Sequence, residues 1–133
     1  MLVRMIYVSR AVNPSSGSPT DSILASSREH NLSSGITGIL CFGGGIYLQA
    51  LEGGRNQVNA LYHQIANDER HRDVVILLYE EIKERRFGGW TMGQVNLTRL
   101  NTSIVLKYSE THDLDPYTLF PYTTLFRSRK SVV

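Results

Sequence analysis

The chain has 133 residues, of which 41% are hydrophobic and 20% charged, enough for one soluble domain that buries about two-thirds of its unfolded surface. Its formal net charge is +2, but Arg127, Arg129 and Lys130 supply three of the fourteen cations, and the remaining eleven face twelve acids, too even a balance to attract nucleic acid. The longest apolar run, 74–79, is too short to cross a bilayer, the first residues lack a signal-peptide pattern, and the single cysteine, Cys41, rules out an internal disulfide framework, so the expected compartment is the cytoplasm.

Residues 2–9 alternate as a strand, with Val3, Met5, Tyr7 and Ser9 on one face and Leu2, Arg4, Ile6 and Val8 on the other. Residues 13–19, rich in Ser, Gly and Pro, read as a loop. Thr20 suits an N-cap and Asp21 complements the helix dipole in the first turn. The helix they open runs to about Leu32 and places Ile23, Ser27 and Asn31 on one face. Two apolar runs, 36–42 and 46–51, flank Gly43-Gly44-Gly45 and predict a hairpin, because glycine takes positive φ at little cost. Gly53-Gly54 ends the second strand, and Val58, Leu61, Tyr62 and Ile65 form a helical stripe. Residues 67–73 read as a charged turn. The run 74–82 starts apolar on both faces, which predicts a central strand. Phe87-Gly88-Gly89-Trp90-Thr91-Met92-Gly93-Gln94-Val95 predicts a last strand entered through a glycine pair. The order β-α-β-β-α-β-β is that of an α+β, ferredoxin-like fold, a mixed sheet with two helices on one face plus a C-terminal extension.

The sheet face away from the helices carries Leu2, Ile6, Val8, Ile39, Cys41, Ile46, Leu48 and Ala50, too apolar a surface to leave in water. Cover is expected from the extension, from a second subunit, or from both. The expected organisation is a domain over 1–97, an extension over 98–120 anchored by Ile104, Val105, Leu106, Tyr117, Leu119 and Phe120, and a tail over 121–133. That tail nearly repeats the preceding Pro-Tyr-Thr-Leu-Phe and is read as disordered or non-native.

On the helix side, Gln49 shares a strand face with Tyr47 and Leu51. A buried amide without a partner costs about 1–3 kcal/mol, so Gln49 requires a backbone carbonyl, a water or a polar heteroaromatic ligand. Tyr7 and Asn31 project towards the same side, and Arg70 and His71 lie just beyond the second helix. A tyrosine and two amides around an apolar slot walled by Ile23 and Ile65 suit a flat molecule with an imide-like edge. Taken singly, a buried tyrosine is usually core and a helix-end asparagine usually a cap.

Together these residues resemble the BLUF family, the blue-light sensors that use flavin. The matching stretches are Ile6-Tyr7-Val8-Ser9, His30-Asn31 with Gly35-Ile36-Thr37-Gly38, and Tyr47-Leu48-Gln49-Ala50-Leu51-Glu52-Gly53. They continue through Asp68-Glu69-Arg70-His71 and Arg86-Phe87-Gly88-Gly89-Trp90-Thr91-Met92, covering residues 1 to about 97 in order. The resemblance implies a noncovalent flavin, FAD, with FMN and riboflavin as alternatives. It implies that Asn31 and Gln49 hydrogen-bond the ring, that Ile23 and Ile65 sandwich it, and that Arg70 meets its pyrimidine edge. His30 and His71 fall nearby, either as flavin contacts or as solvated turn residues. It also implies that Tyr7 is the light-driven electron and proton donor, and that Gln49 ends in a changed tautomer or orientation. Trp90 and Met92 would belong to a light-responsive last strand, or simply to the core. Output is expected through a separate effector protein or a change in a homo-oligomer.

Other constellations fall short. Alternation puts Cys41 on the far face, as inert core rather than as a flavin adduct site. The four histidines and one cysteine show no metal-ligand spacing, so no metal is expected. An acylphosphatase-like hydrolase of the same topology needs an anion-cradling loop beside the first strand, and residues 13–19 have no such pattern. An RNA-binding module needs exposed aromatics on a sheet face that here is aliphatic. The expected class is a photoreceptor and not an enzyme.

Overall fold

The structure is a computed structural model that describes residues 1–12, 31, 33–89 and 92–96. The predicted 13–19 loop, most of the 20–32 helix with Ile23 and His30, Trp90, the 98–120 extension and the 121–133 tail lie outside the described residues. Five strands form one sheet: β1 (Leu2–Ala11), β2 (Thr37–Gly43), β3 (Ile46–Gly54), β4 (His71–Ile82) and β5 (Gly93–Asn96), with the helix α1 (Arg55–Ala66) between β3 and β4. The spatial order is β4-β1-β3-β2-β5. All pairs are antiparallel except β2 with β5, which makes the sheet mixed, as expected.

The β2–β3 hairpin turns through Gly44 and Gly45, at φ 59° and 77°, with Gly43 paired to Ile46 across it. Two consecutive positive φ values match the strand twist that a two-residue hairpin requires. Gly38 is needed for a different reason: a Cβ there would run into the carbonyl oxygen of Ala50 on β3. Upstream, Asn31, Ser33 and Ser34 are helical and Gly35 follows at φ 69°. The amide of Ile36 donates back to the carbonyl of Asn31 at 3.2 Å, a Schellman closure that puts Asn31 inside the last helical turn rather than at its cap.

Helix α1 packs Val58 against Val3 and Met5, and Leu61 joins Tyr7, Leu40, Tyr47, Leu51 and Met92. The predicted helical stripe is therefore the face that covers the sheet. On the other face Ile6, Val8, Ile39, Cys41, Ile46, Leu48 and Ala50 are all buried. Burial pushes the Cys41 thiol well above its usual range, which leaves it unreactive.

Two expectations need correction. Strand β4 is not central but an edge, with Val75 and Ile76 exposed. The crossover β3–α1–β4 carries the chain over β1 and sets β4 down beyond it, so connectivity decides the position and composition does not. The last strand also starts later than expected. Met92 immediately precedes β5, which begins at Gly93, and residues 85–89 form the bend and turn before it.

Candidate functional site

Alternation along β1 and β3, in antiparallel register, sets Tyr7 directly opposite Gln49 on the helix side. Both are 3% exposed. The Tyr7 hydroxyl donates to Gln49 Oε1. Burial, assisted by the nearby charge of Asp68, pushes the Tyr7 phenol well above its usual range, so it keeps its proton and acts as donor. The other end of the amide, Gln49 Nε2, donates to Met92 Sδ at 3.3 Å. A thioether has no hydrogen to give. Turning the amide over would face an oxygen to that sulfur and lose the second bond, so Met92 and Tyr7 together select one orientation of Gln49.

His71, the first residue of β4, closes one side. Its Nε2 meets the carbonyl of Ile65, which can only accept, so that nitrogen carries the proton. Its Nδ1 lies 2.8 Å from the hydroxyl of buried Ser9, two residues from Tyr7 on the same face. The imidazole stands edge-on to the rings of Tyr7, at 6.3 Å, and Tyr47, at 6.1 Å. Tyr62 from α1 meets Tyr7 edge-on at 6.4 Å. Phe42, Ile65 and Val74 pack partly buried around this cluster.

Arg70 folds back on Asp68, and both sit part-buried beside the helix end. Asp68 Oδ1 accepts from the backbone and Nε of Arg70, at 2.9 and 3.0 Å. These hydrogen bonds from Arg70 hold the Asp68 carboxyl below its usual range and the Arg70 guanidinium above its own. Asn31, in the last helical turn before β2, is 1% exposed.

Of the residues expected at a site, Tyr7, Gln49 and Met92 form one hydrogen-bonded chain. His71 and Ile65 pack beside it, Arg70 stands near them, and Asn31 is buried. Sequence reasoning missed Ser9, which shares the Tyr7 face by simple alternation, and Tyr62, which it read only as core. It also gave no role to Asp68, although the i, i+2 spacing with Arg70 was visible. Among the described residues no group of three or more His, Cys, Asp or Glu could hold a metal ion.

Residues 2–93 match the BLUF family, described as sensors of blue-light using FAD. The chain is similar to the photoactivated adenylate cyclase subunit alpha of Euglena gracilis, with 39% identity over 87 residues, which is 65% of this chain and 8% of that one. Among solved structures it is similar to BlrB, a BLUF protein in its dark state, at 33% identity and a TM-score of 0.69, covering 86% of this chain and 85% of that one. It is also similar to BlsA in its photo-activated state, at 26% identity and a TM-score of 0.77, covering 96% of this chain and 97% of that one.

Proposed function

Because the chain belongs to the BLUF family, the blue-light sensors that use FAD, we propose that Tyr7, Gln49 and Met92 are its light switch and that Asn31, Ile65, Arg70 and His71 hold the flavin beside them. The donor set fits such a ring. Two amides, Asn31 and Gln49, are buried, and a side-chain amide carries both a donor and an acceptor, the complement of an imide edge. Half-buried Ile65 supplies a flat apolar wall, and the Arg70 guanidinium supplies a charge that its pair with Asp68 keeps in place. Ile23 and Trp90 enter the proposal by motif position alone.

Bound flavin supplies a blue-absorbing chromophore that becomes an electron acceptor when excited. The chain supplies everything that responds. Tyr7 holds a phenolic proton already directed at Gln49 Oε1, so losing an electron and passing the proton require no prior movement. Gln49 hydrogen-bonds both Tyr7 and Met92, so a changed tautomer or a rotated amide alters both contacts together. The His71 imidazole, fixed between Ile65 and Ser9, keeps the Tyr7 ring from following. The Tyr7–Gln49–Met92 chain is the observation that carries this reading.

The domain is a sensor, and no observation favours the hydrolase alternative. The relative from Euglena gracilis is named as a cyclase subunit, and the stretch matched here is 8% of it. By that likeness the output of this chain passes to an effector domain, a partner protein or a second copy, with the rearrangement at Gln49 biasing β5 and the aliphatic sheet face. No helix among the described residues is long and apolar enough to cross a membrane. The cytoplasm is the proposed location.

A flavin absorption spectrum of the purified protein, taken before and after blue light, tests the reading. The expected result is bound FAD whose absorption shifts to the red and returns in darkness. Protein that neither retains nor takes up a flavin would overturn it.

A further inference from the structure

Among the described residues, the aliphatic sheet face carries a buried pair of opposite charges. Arg4 and Glu52 stand opposite each other on β1 and β3, 6% and 0% exposed. Glu52 Oε2 accepts from Arg4 Nε and lies against Arg4 Nη2, both at 2.7 Å. Glu80, across from Arg4 on β4, meets Arg4 Nη1 at 3.2 Å. An ion pair without water is costly unless the remaining lone pairs are filled. Here backbone fills them. The amide of Arg86 donates to Glu52 Oε2 at 2.9 Å, and that of Phe87 donates to Oε1 at 2.7 Å.

The same turn is gripped a second time. The Arg85 guanidinium donates to the carbonyls of Glu52 at 3.1 Å and Gly35 at 2.7 Å, and to the Thr37 hydroxyl at 2.8 Å. Five residues beyond Phe87, on the opposite face of the sheet, Met92 receives the Gln49 amide. A single stretch of chain therefore engages β3 from both sides: its start is fastened to Glu52, and its end bears on Gln49, three residues away on the other face.

We propose that Glu52, held by Arg4, is a positioning residue for the switch: by fastening the 85–87 turn to β3 it sets Met92 against Gln49 and so fixes the orientation of that amide. Arg85 joins the same turn to Gly35, at the end of the helical turn that carries Asn31. The light-dependent part rests on the reading of Gln49 as the switching amide; the fastening itself does not.

The test uses Glu52→Gln, which keeps size and one acceptor but turns a donor towards groups that are all donors. The control is Val58→Ala, which loosens the packing of α1 on β1 without touching the turn. Amide hydrogen exchange is measured on flavin-free protein. Glu52→Gln is expected to speed exchange at Arg86 and Phe87 about tenfold or more, as loss of a hydrogen bond to a charged group implies, and to speed it across β5. In Val58→Ala these amides stay as protected as the rest of the sheet. In flavin-loaded protein, Glu52→Gln is expected to change the dark-recovery rate about two- to tenfold, the scale of one hydrogen bond. It should add nothing further in a Met92→Leu background. Unchanged exchange at Arg86 and Phe87 overturns the fastening. Faster exchange with wild-type recovery, or additive effects with Met92→Leu, overturns the positioning role. If the wild type shows no red shift, the reading of Gln49 as a light switch fails. Exchange across β5 then decides alone: faster than in Val58→Ala sustains the proposal, and unchanged ends it.

Discussion

The Tyr7–Gln49 hydrogen bond has an energetic signature that can be measured without light. Tyr7→Phe leaves Gln49 Oε1 in a site 3% exposed, without its donor; Gln49→Leu leaves the Tyr7 hydroxyl in the same condition. Each single change should destabilise the fold by about 1–3 kcal/mol, the cost of a buried polar group that has lost its partner. Phenylalanine and leucine keep most of the volume, so cavities contribute little. The double variant removes both halves of the bond, an exchange that can be nearly neutral. It should therefore cost less than the sum of the singles by about 2 kcal/mol or more, well above the few tenths expected of independent sites. Denaturant titrations of the four proteins, followed by far-ultraviolet circular dichroism at one fixed FAD concentration, supply the cycle. Additive effects within about 0.5 kcal/mol would mean that the two groups are not bonded, and the site as described would not stand.

Asn31→Ala should weaken flavin retention by about five- to a hundredfold, the scale of two buried hydrogen bonds, read as flavin per protein after gel filtration; full occupancy would remove Asn31 from the binding set. Gly38→Ala should destabilise the protein by at least about 2 kcal/mol, since the new Cβ meets the Ala50 carbonyl and backbone cannot swing aside; an unchanged melting temperature would refute the close β2–β3 approach. The Asp68 carboxyl, held low chiefly by its hydrogen bonds from Arg70, contributes stability that is present above its ordinary value near 3.8 and is lost as pH falls through the lower folded value. Removing the guanidinium with Arg70→Leu should flatten that acid limb, and an acid limb identical to that of the wild type would contradict the pairing.

Much of the site was legible because two periodicities carried it. Alternation along β1 and β3 put Tyr7 and Gln49 on the helix face, and the i, i+3, i+4, i+7 stripe put Leu61 and Ile65 over them. The three glycines marked the hairpin that brings β3 back, and the resemblance supplied what spacing could not, a reason for Asn31 to be buried. What stayed hidden depends on pairing across strands. Nothing in the composition of 74–82 says that β4 is an edge, because the crossover through α1 decides its place. Arg4 and Glu52 sit far apart in sequence on strands whose faces look aliphatic; only the β1–β3 register makes them neighbours, and only the 85–87 turn makes their burial tolerable. Met92 was read as a strand residue, yet it reaches Gln49 from just before β5, a placement that no periodicity encodes.

The most direct test of the central claim is the blue-light difference spectrum of Tyr7→Phe, loaded with FAD and recorded beside the wild type. Phenylalanine preserves the packing against Tyr62 and His71 but has no phenolic proton to send to Gln49 and is far harder to oxidise. Tyr7→Phe is expected to bind FAD and show no reversible red shift, while the wild type shows one. A red shift of wild-type size and recovery in Tyr7→Phe would contradict it, because the switch would then operate without the residue on which its first step depends.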